Sequence, residues 1–391
     1  MTINFIYDNL ENVQNPIPNG IERKHLKEIY VKNFQNFRKY SPLRSASFLN
    51  LPNINNTKIK YDSKGIYPIA FDSISNSIDE YQVRNLVTYG ISNLAKRLIN
   101  NENLKLIVFL KEPISKKSIY SLYYTLKEFF NEFIIYSDFI PQDDMSDHLR
   151  HNLAWEHFTE INEFKFSKPF TQANDKINTE KHEKLIFGVP GYTNNLFDFK
   201  AAAAFSLMEL GLDKNCAISF IKDVEIWENY TRESSIKINY IVESLKSKYS
   251  DKMYGNLSYD DLFIKPLMNL VVGPYMEVNN VDGIDYPCIA DKIFKPIKHK
   301  LPFLCISQKD TLKEFKKRGY KTFHPYIDES YDSIDNNDDR LFEVIKQVNH
   351  ICNLSDHDLS SLIEKIKPVL DYNYNNFKYR VKSEIDYLST H

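Results

Sequence analysis

From Tyr67 onward the chain alternates short apolar runs with amphipathic stretches, and this limits its fold more than any other feature. YPIAFDSI (67–74), LKLIVFL (104–110) and EFIIYSD (132–138) have the length and the β-branched and aromatic content of buried strands. Between them, residues 80–98 and 117–130 carry apolar side chains at helical spacing, with Val83, Leu86, Val87, Ile91 and Leu94 in the first stretch. Strands separated in this way predict parallel βαβ units, because a parallel neighbour needs a crossover long enough to hold a helix.

After a polar linker, TQANDKINTEKHEK (171–184), the alternation restarts. Strands are expected in KLIFGVPG (184–191), CAISFI (216–221), LPFLCIS (301–307) and KTFHPY (321–326), and helices over 198–210, 310–318, 338–352 and 355–370. Residues 225–270 read as helical and loop material. The expected organisation has four parts: an N-terminal basic, helical extension (1–60), an acceptor-side α/β domain (61–175), a second α/β domain (185–370) and a closing helix (371–391).

Charge excludes some classes and narrows others. Against 52 acids stand 50 Lys and Arg, a net charge of −2, so no global attraction draws the chain to nucleic acid or to an anionic membrane. Local basic segments are another matter. Residues 22–44 hold seven Lys or Arg against two Glu, with Tyr30, Phe34, Phe37 and Tyr40 between them. This segment reads either as a packed helix with a solvated basic face or as a contact for a nucleic acid backbone. The four cysteines form no CxxC pair, which points to a reducing, cytoplasmic compartment. The N-terminus lacks the pattern of a signal peptide, and LIVFL is too short to span a bilayer, so no membrane span is expected.

The sharpest local contrast lies in the C-terminal third. Residues 291–321 contain ten Lys or Arg against three acids, and 328–343 contain seven acids against Arg340 alone. Such neighbours often pair with each other as solvated faces. Lys292 and Lys295, however, stand just before an expected strand, and Asp328 and Glu329 where the next one ends. At the carboxyl edge of an open α/β sheet, ammonium groups stabilise phosphate oxygens and carboxylates accept from sugar hydroxyls. In the first half, Glu112 follows one strand, and Asp143, Asp144 and His148 follow another. Each could deprotonate an acceptor hydroxyl; spacing singles out none. The acids and His of QDDMSDHLRH (142–151) match no strong metal-ligand spacing, so neither a metal nor a cofactor is expected.

At these residues the chain resembles a known family. ADKIFKPIKHKLPFLCIS (290–307), DTLKEFKKRGYKTFHPYIDESYD (310–332) and NLSDHDLSSLIEKIKPVLDYN (353–373) are similar to glycosyltransferase-like proteins of bacteriophages and marine bacteria. More distantly, they are similar to the donor-binding part of α1,3-fucosyltransferases. The resemblance is strong over 288–390 and thin elsewhere. It implies two Rossmann-like domains facing a cleft (the GT-B type), and transfer of a sugar from a UDP- or GDP-sugar co-substrate to an acceptor glycan, protein or DNA. It also implies roles for residues. Lys292, supported by Lys295, would neutralise the leaving diphosphate. Asp291 and Glu277 would accept from sugar or ribose hydroxyls, and Phe294 and Tyr331 would offer apolar or stacking surfaces. Two departures stand out. Relatives carry an Arg-rich loop where this chain has Gly191, Tyr192, Thr193, Asn194 and Asn195, followed by Lys200, and Asp291 stands where the family has Glu. Neutral donors bind phosphate more weakly than guanidinium does. Either Lys292 and Lys295 meet the donor's charge, or the fold serves a non-catalytic binding or structural role.

Overall fold

The computed structural model describes residues 3–7, 54–71, 80–85, 87–88, 91–110, 114–137, 139, 145, 147–151, 186–190, 198–219, 265–273, 286–289 and 291–390. The basic segment 22–44 and the linker 171–184 lie outside them. The described residues form an α/β protein with two all-parallel sheets. The chain divides into two compact units: Met1–Ser167 with Asn279–Tyr286 and Tyr379–His391, and Lys168–Val278 with Pro287–Lys378.

The first unit holds strands β1 (Ile3–Tyr7), β2 (Ile54–Lys58), β3 (Gly65–Phe71), β4 (Leu104–Leu110), β5 (Phe133–Ser137) and β6 (Leu149–His151), in the order β2-β1-β3-β4-β5-β6. Its helices are α1 (Glu80–Asn85), α2 (Asn93–Asn100) and α3 (Lys116–Phe129). Two corrections to the sequence reading follow. Residues 3–7 and 54–58 of the expected N-terminal extension are strands of this sheet, β1 and β2. The single helix expected over 80–98 is two: Ser92 starts α2 by accepting a hydrogen bond from the Ala95 amide, as an N-cap does. Gly65 lies so close to β1 that a Cβ there would stand 2.5 Å from the Asn4 carbonyl oxygen.

Alternation along the strands sorts the side chains of this sheet into two faces. Leu104, Leu106, Val108 and Leu110 of β4 join Phe133 and Ile135 of β5 in a core with Val83, Leu98, Ile119, Leu122 and Leu126 of α1–α3. Lys105, Phe109, Tyr136 and Arg150 point to the opposite face. There Phe109 stacks on Tyr136 at 5.2 Å.

The second unit contains β7 (Phe187–Pro190), α4 (Asp198–Glu209), β8 (Cys216–Ser219), β9 (Met268–Val272), α5 (Asp291–Lys298), β10 (Phe303–Ile306), α6 (Thr311–Lys317) and α7 (Asn337–Cys352). Helix α8 (Asp356–Ser389) contributes its first part to this unit and Tyr379 onward to the first. The two helices expected after residue 355 are thus one 34-residue helix with Pro368 inside it. Strand β9 occupies part of a stretch read as helical and loop. It is buried throughout in the middle of the sheet, so its MNLVV run has no polar alternation to mark it.

In the first unit, the end of α8 returns to the sheet face that carries Tyr136. Tyr136 donates its hydroxyl to Glu384 Oε2 at 2.8 Å, and Arg150 donates to Glu384 Oε1 at 2.9 Å. The Arg150 guanidinium also lies over the Tyr387 ring, 3.5 Å from its centroid. One carboxylate therefore ties β5 and β6 to the helix.

Candidate functional site

Strand order locates the candidate site. The second sheet runs β10-β9-β7-β8, so the chain starts at β7, moves to β8 on one side and returns to β9 on the other. The order reverses between β7 and β9, where loops leave in opposite directions and open a crevice at the carboxyl ends of the strands. Pro190 ends β7 and Val272 ends β9. Tyr192 and Asn194, which follow β7, and Glu277, which follows β9, lie outside the described residues. Lys200 is in the first turn of α4; its side chain is not among those described.

The neighbouring part of this edge is described closely. The Gly273 amide donates to the Ile306 carbonyl at 2.8 Å, and a Cβ on Gly273 would meet Ser307 Oγ at 2.6 Å. A side chain at Gly273 would force Ser307 to shift where the end of β9 approaches β10. Gln308, just past β10, accepts from the Cys288 amide at 2.8 Å through Oε1, and its carbonyl accepts from Thr311 Oγ1 at 2.7 Å. The Cys288 contact brings the chain entering α5 to the carboxyl edge. From there α5 runs back so that β10 can begin at the amino edge.

Asp291 and Lys292 therefore open a helix at the carboxyl edge of the sheet. The sequence reading put Lys292 and Lys295 directly before a strand. They occupy α5 instead, because Ile293, Phe294 and Ile297 give it a buried face. A helix start carries partial positive charge, which together with the Lys292 ammonium favours an anion there. Phe294 faces the interior. It is 2 % exposed and packs against Phe315, Tyr320 and Phe377 at 5.5–6.4 Å, so it is core rather than a ligand surface.

The acidic segment differs from expectation. KTFHPY forms no strand. Asn373 of α8 holds it by both amide atoms, accepting from the Lys321 amide at 2.8 Å and donating to the Lys321 carbonyl at 2.7 Å. Phe323 then packs edge-on to Phe303 at the amino end of β10, and the Asp332 carbonyl accepts from the Asp310 amide near its carboxyl end. Residues 323–332 thus flank edge strand β10. Tyr331, 2 % exposed, accepts from the Cys305 amide at 3.4 Å, so it covers the strand edge and is no platform for a base. Asp328 and Glu329 lie along this flank, not at a strand end. Asp328 is exposed and accepts from the Ser330 amide at 2.9 Å, and the Ser330 hydrogen bonds hold its carboxyl below the ordinary value.

Glu329 is half-buried and accepts from the Phe323 amide at 2.6 Å. Burial pushes its carboxyl up, against the opposing pull of hydrogen bonds from Thr322, Phe323 and His324. A folded-state value above the unfolded one means that the folded chain binds an extra proton between the two. Stability then falls as pH rises through that window. Glu329→Gln keeps an acceptor for Phe323 and cannot ionise. Urea titrations from neutral pH down toward 4.5, the ordinary glutamate value, should show wild type gaining stability relative to the variant. Equal pH slopes would contradict this account.

Sequence reasoning missed two residues of this region. Asp332 caps α6 by accepting from the Leu312 and Lys313 amides at 2.8 and 3.0 Å. Arg340 is 2 % exposed and donates to the carbonyls of Ser307 at 2.9 Å, Ile334 at 2.6 Å and Asp335 at 3.3 Å, and to Asn337 Oδ1. Its signal was its place: it precedes Val344 and Val348 by four and eight residues, on the buried stripe of α7.

No family model, curated protein or solved structure matches this chain. Function must therefore be argued from the site.

Much of the basic cluster is neutralised locally. Lys300 pairs with Asp371 at 2.7 Å, Lys309 with Asp335 at 2.6 Å, Lys313 with Asp310 at 3.3 Å, and Lys317 and Arg318 with Glu314 at 3.3 Å. Of the cations on α5, Lys292 lies in its first turn at the carboxyl edge, whereas Lys295 lies in its last turn, away from that edge. In the first unit, Glu112, Asp143 and Asp144 lie outside the described residues. His148 sits at the amino end of β5, where Nδ1 is 3.0 Å from the Phe133 carbonyl and the ring stacks on Phe133 at 4.7 Å. That is the end of the sheet opposite the carboxyl edge, and the ring packs there rather than facing an acceptor. Among the described residues no group of three His, Cys, Asp or Glu could hold a metal ion, and no helix is long and apolar enough to cross a membrane.

Proposed function

We propose that the protein is a glycosyltransferase whose two units act as the Rossmann-like domains of a GT-B-type enzyme. The second unit takes the nucleotide-sugar donor, and the acceptor is a glycan, protein or DNA hydroxyl. The observation that carries this reading is the start of α5, with Lys292, at the carboxyl edge of a parallel sheet whose order reverses nearby. In the transfer step the acceptor oxygen attacks the anomeric carbon while its bond to the diphosphate breaks. Lys292 and the α5 amides stabilise the charge that gathers on the leaving phosphate oxygens. Glu112, Asp143 and Asp144 remain the candidate bases.

A second reading, a binding protein without transfer activity, is favoured by the neutral loop at Tyr192–Asn195 and by the local pairing of so many cations. Thermal unfolding in the presence of UDP, GDP and their sugars tests both. A ligand at 100 times its Kd stabilises by about 2.7 kcal/mol, a shift of several degrees. Lys292→Ala should weaken binding about tenfold and shrink the shift accordingly. A shift without sugar turnover supports the binding reading. No shift with any of these ligands rejects both, and an unchanged shift in Lys292→Ala removes that residue from the site.

A further inference from the structure

Resting on the donor reading above, we infer that Gln308 is a positioning residue of that site: its buried amide sets where the start of α5, and with it Lys292, stands at the carboxyl edge of the second sheet. Its effect is exerted through α5 rather than by contact with the nucleotide. Gln308 lies just past β10 and is 1 % exposed, yet its side-chain oxygen serves a distant partner. Oε1 accepts from the Cys288 amide at 2.8 Å, twenty residues earlier in the chain. Cys288 and Ile289 are themselves buried, and Asp291 opens α5 three residues after Cys288. A hydrogen bond at that point fixes the entry to the helix against the end of β10.

Gln308 can hold this position because it is itself held. Its carbonyl accepts from Thr311 Oγ1 at 2.7 Å, which closes the turn into α6, and the Ser307 carbonyl before it accepts from Arg340 Nε at 2.9 Å. Ser307, Gln308, Thr311 and Arg340 are all buried, so four polar side chains gather in the interior at the carboxyl end of β10. Buried polar groups must find their partners, which makes such a network specific in geometry where an apolar contact could slide. Charge stabilisation at α5 needs that precision. An ammonium or a helix amide acts on a leaving phosphate only where the charge gathers, and a displacement of about 1 Å can cost about a hundredfold in rate.

Gln308→Met keeps the length of the side chain and takes the acceptor from the Cys288 amide. Isothermal titration calorimetry of the full chain with UDP and GDP, at temperatures where circular dichroism shows each variant folded, should find binding about tenfold weaker than in wild type. Gln308→Asn, a milder change that draws the amide back by one methylene, should weaken binding in the same direction. Asn373→Ala supplies the structural control. It also removes buried hydrogen bonds, those to the Lys321 amide and carbonyl, but toward the amino end of β10. It should lower the melting temperature and leave the nucleotide Kd unchanged. In Gln308→Met combined with Lys292→Ala, the loss should fall short of the product of the two single losses, because Gln308 acts through a helix start whose cation has already gone. Equal affinity in wild type and Gln308→Met, the same weakening in Asn373→Ala, or a double variant at the full product each overturns the inference while the donor reading stands. No binding of either nucleotide to wild type overturns both.

Discussion

Arg340→Leu should lower the free energy of unfolding by about 3 kcal/mol, read from urea titration of the full chain. The guanidinium satisfies the carbonyls of Ser307, Ile334 and Asp335 and the side-chain oxygen of Asn337 from within the interior. Leucine fills much of the volume and leaves these acceptors without their donor, and each buried orphan costs about 1–3 kcal/mol before any water enters. Arg340→Lys should recover only part of the loss, because one ammonium cannot reproduce a planar fork of donors. A loss below about 1 kcal/mol for the leucine variant would mean that the loop after β10 does not depend on this residue. The effect also bears on the site, since Ser307 adjoins Gly273 and Gln308 at the carboxyl edge.

Glu384→Ala should cost about 2–3 kcal/mol. It orphans the buried Tyr136 hydroxyl and removes the carboxylate partner of Arg150, while the contact of Arg150 with the Tyr387 ring remains. The hydroxyl accounts for a separable share. Tyr136→Phe alone removes both donor and need, so it should cost less, and adding it to Glu384→Ala should cost little more. Strictly additive losses in the double variant would show that the hydroxyl and the carboxylate do not act together. Because Glu384 lies beyond Tyr379, the experiment also measures how firmly the end of α8 is held on the first unit.

The sequence revealed those elements whose burial pattern is strong and local. β4, with its LKLIVFL run, and helices α3, α4, α6 and α7 lie within a residue or two of the expected positions, since local apolar patterning, or for α4 a run of alanines, marks them. Elements set by distant partners were hidden. β2 is INNTK, a polar strand at the sheet edge, and only its pairing with β1 makes it a strand. KTFHPY has strand-like composition, yet the Lys321 amide and carbonyl go to Asn373, fifty-two residues away, and the Phe323 amide goes to Glu329. At the site, the crossover helix was not legible for Asp291 and Lys292: with β9 unrecognised ahead of them, they read only as residues before a strand. Nor was side-chain direction. Phe294 and Tyr331 carry aromatic rings that suit either a ligand or a core, and only the packing of α8 and β10 around them decides. Arg340 was obscured by its acidic neighbours, which suggested a solvated charge where the chain instead buries one.

The most direct measurement is a crystal structure of the full chain soaked with a nucleoside diphosphate. The account predicts phosphate density at the carboxyl edge of the second sheet, beside the ends of β7 and β9, with the Lys292 ammonium and the first amides of α5 within hydrogen-bond distance. A nucleotide bound elsewhere, with Lys292 engaged only by protein groups, would contradict it.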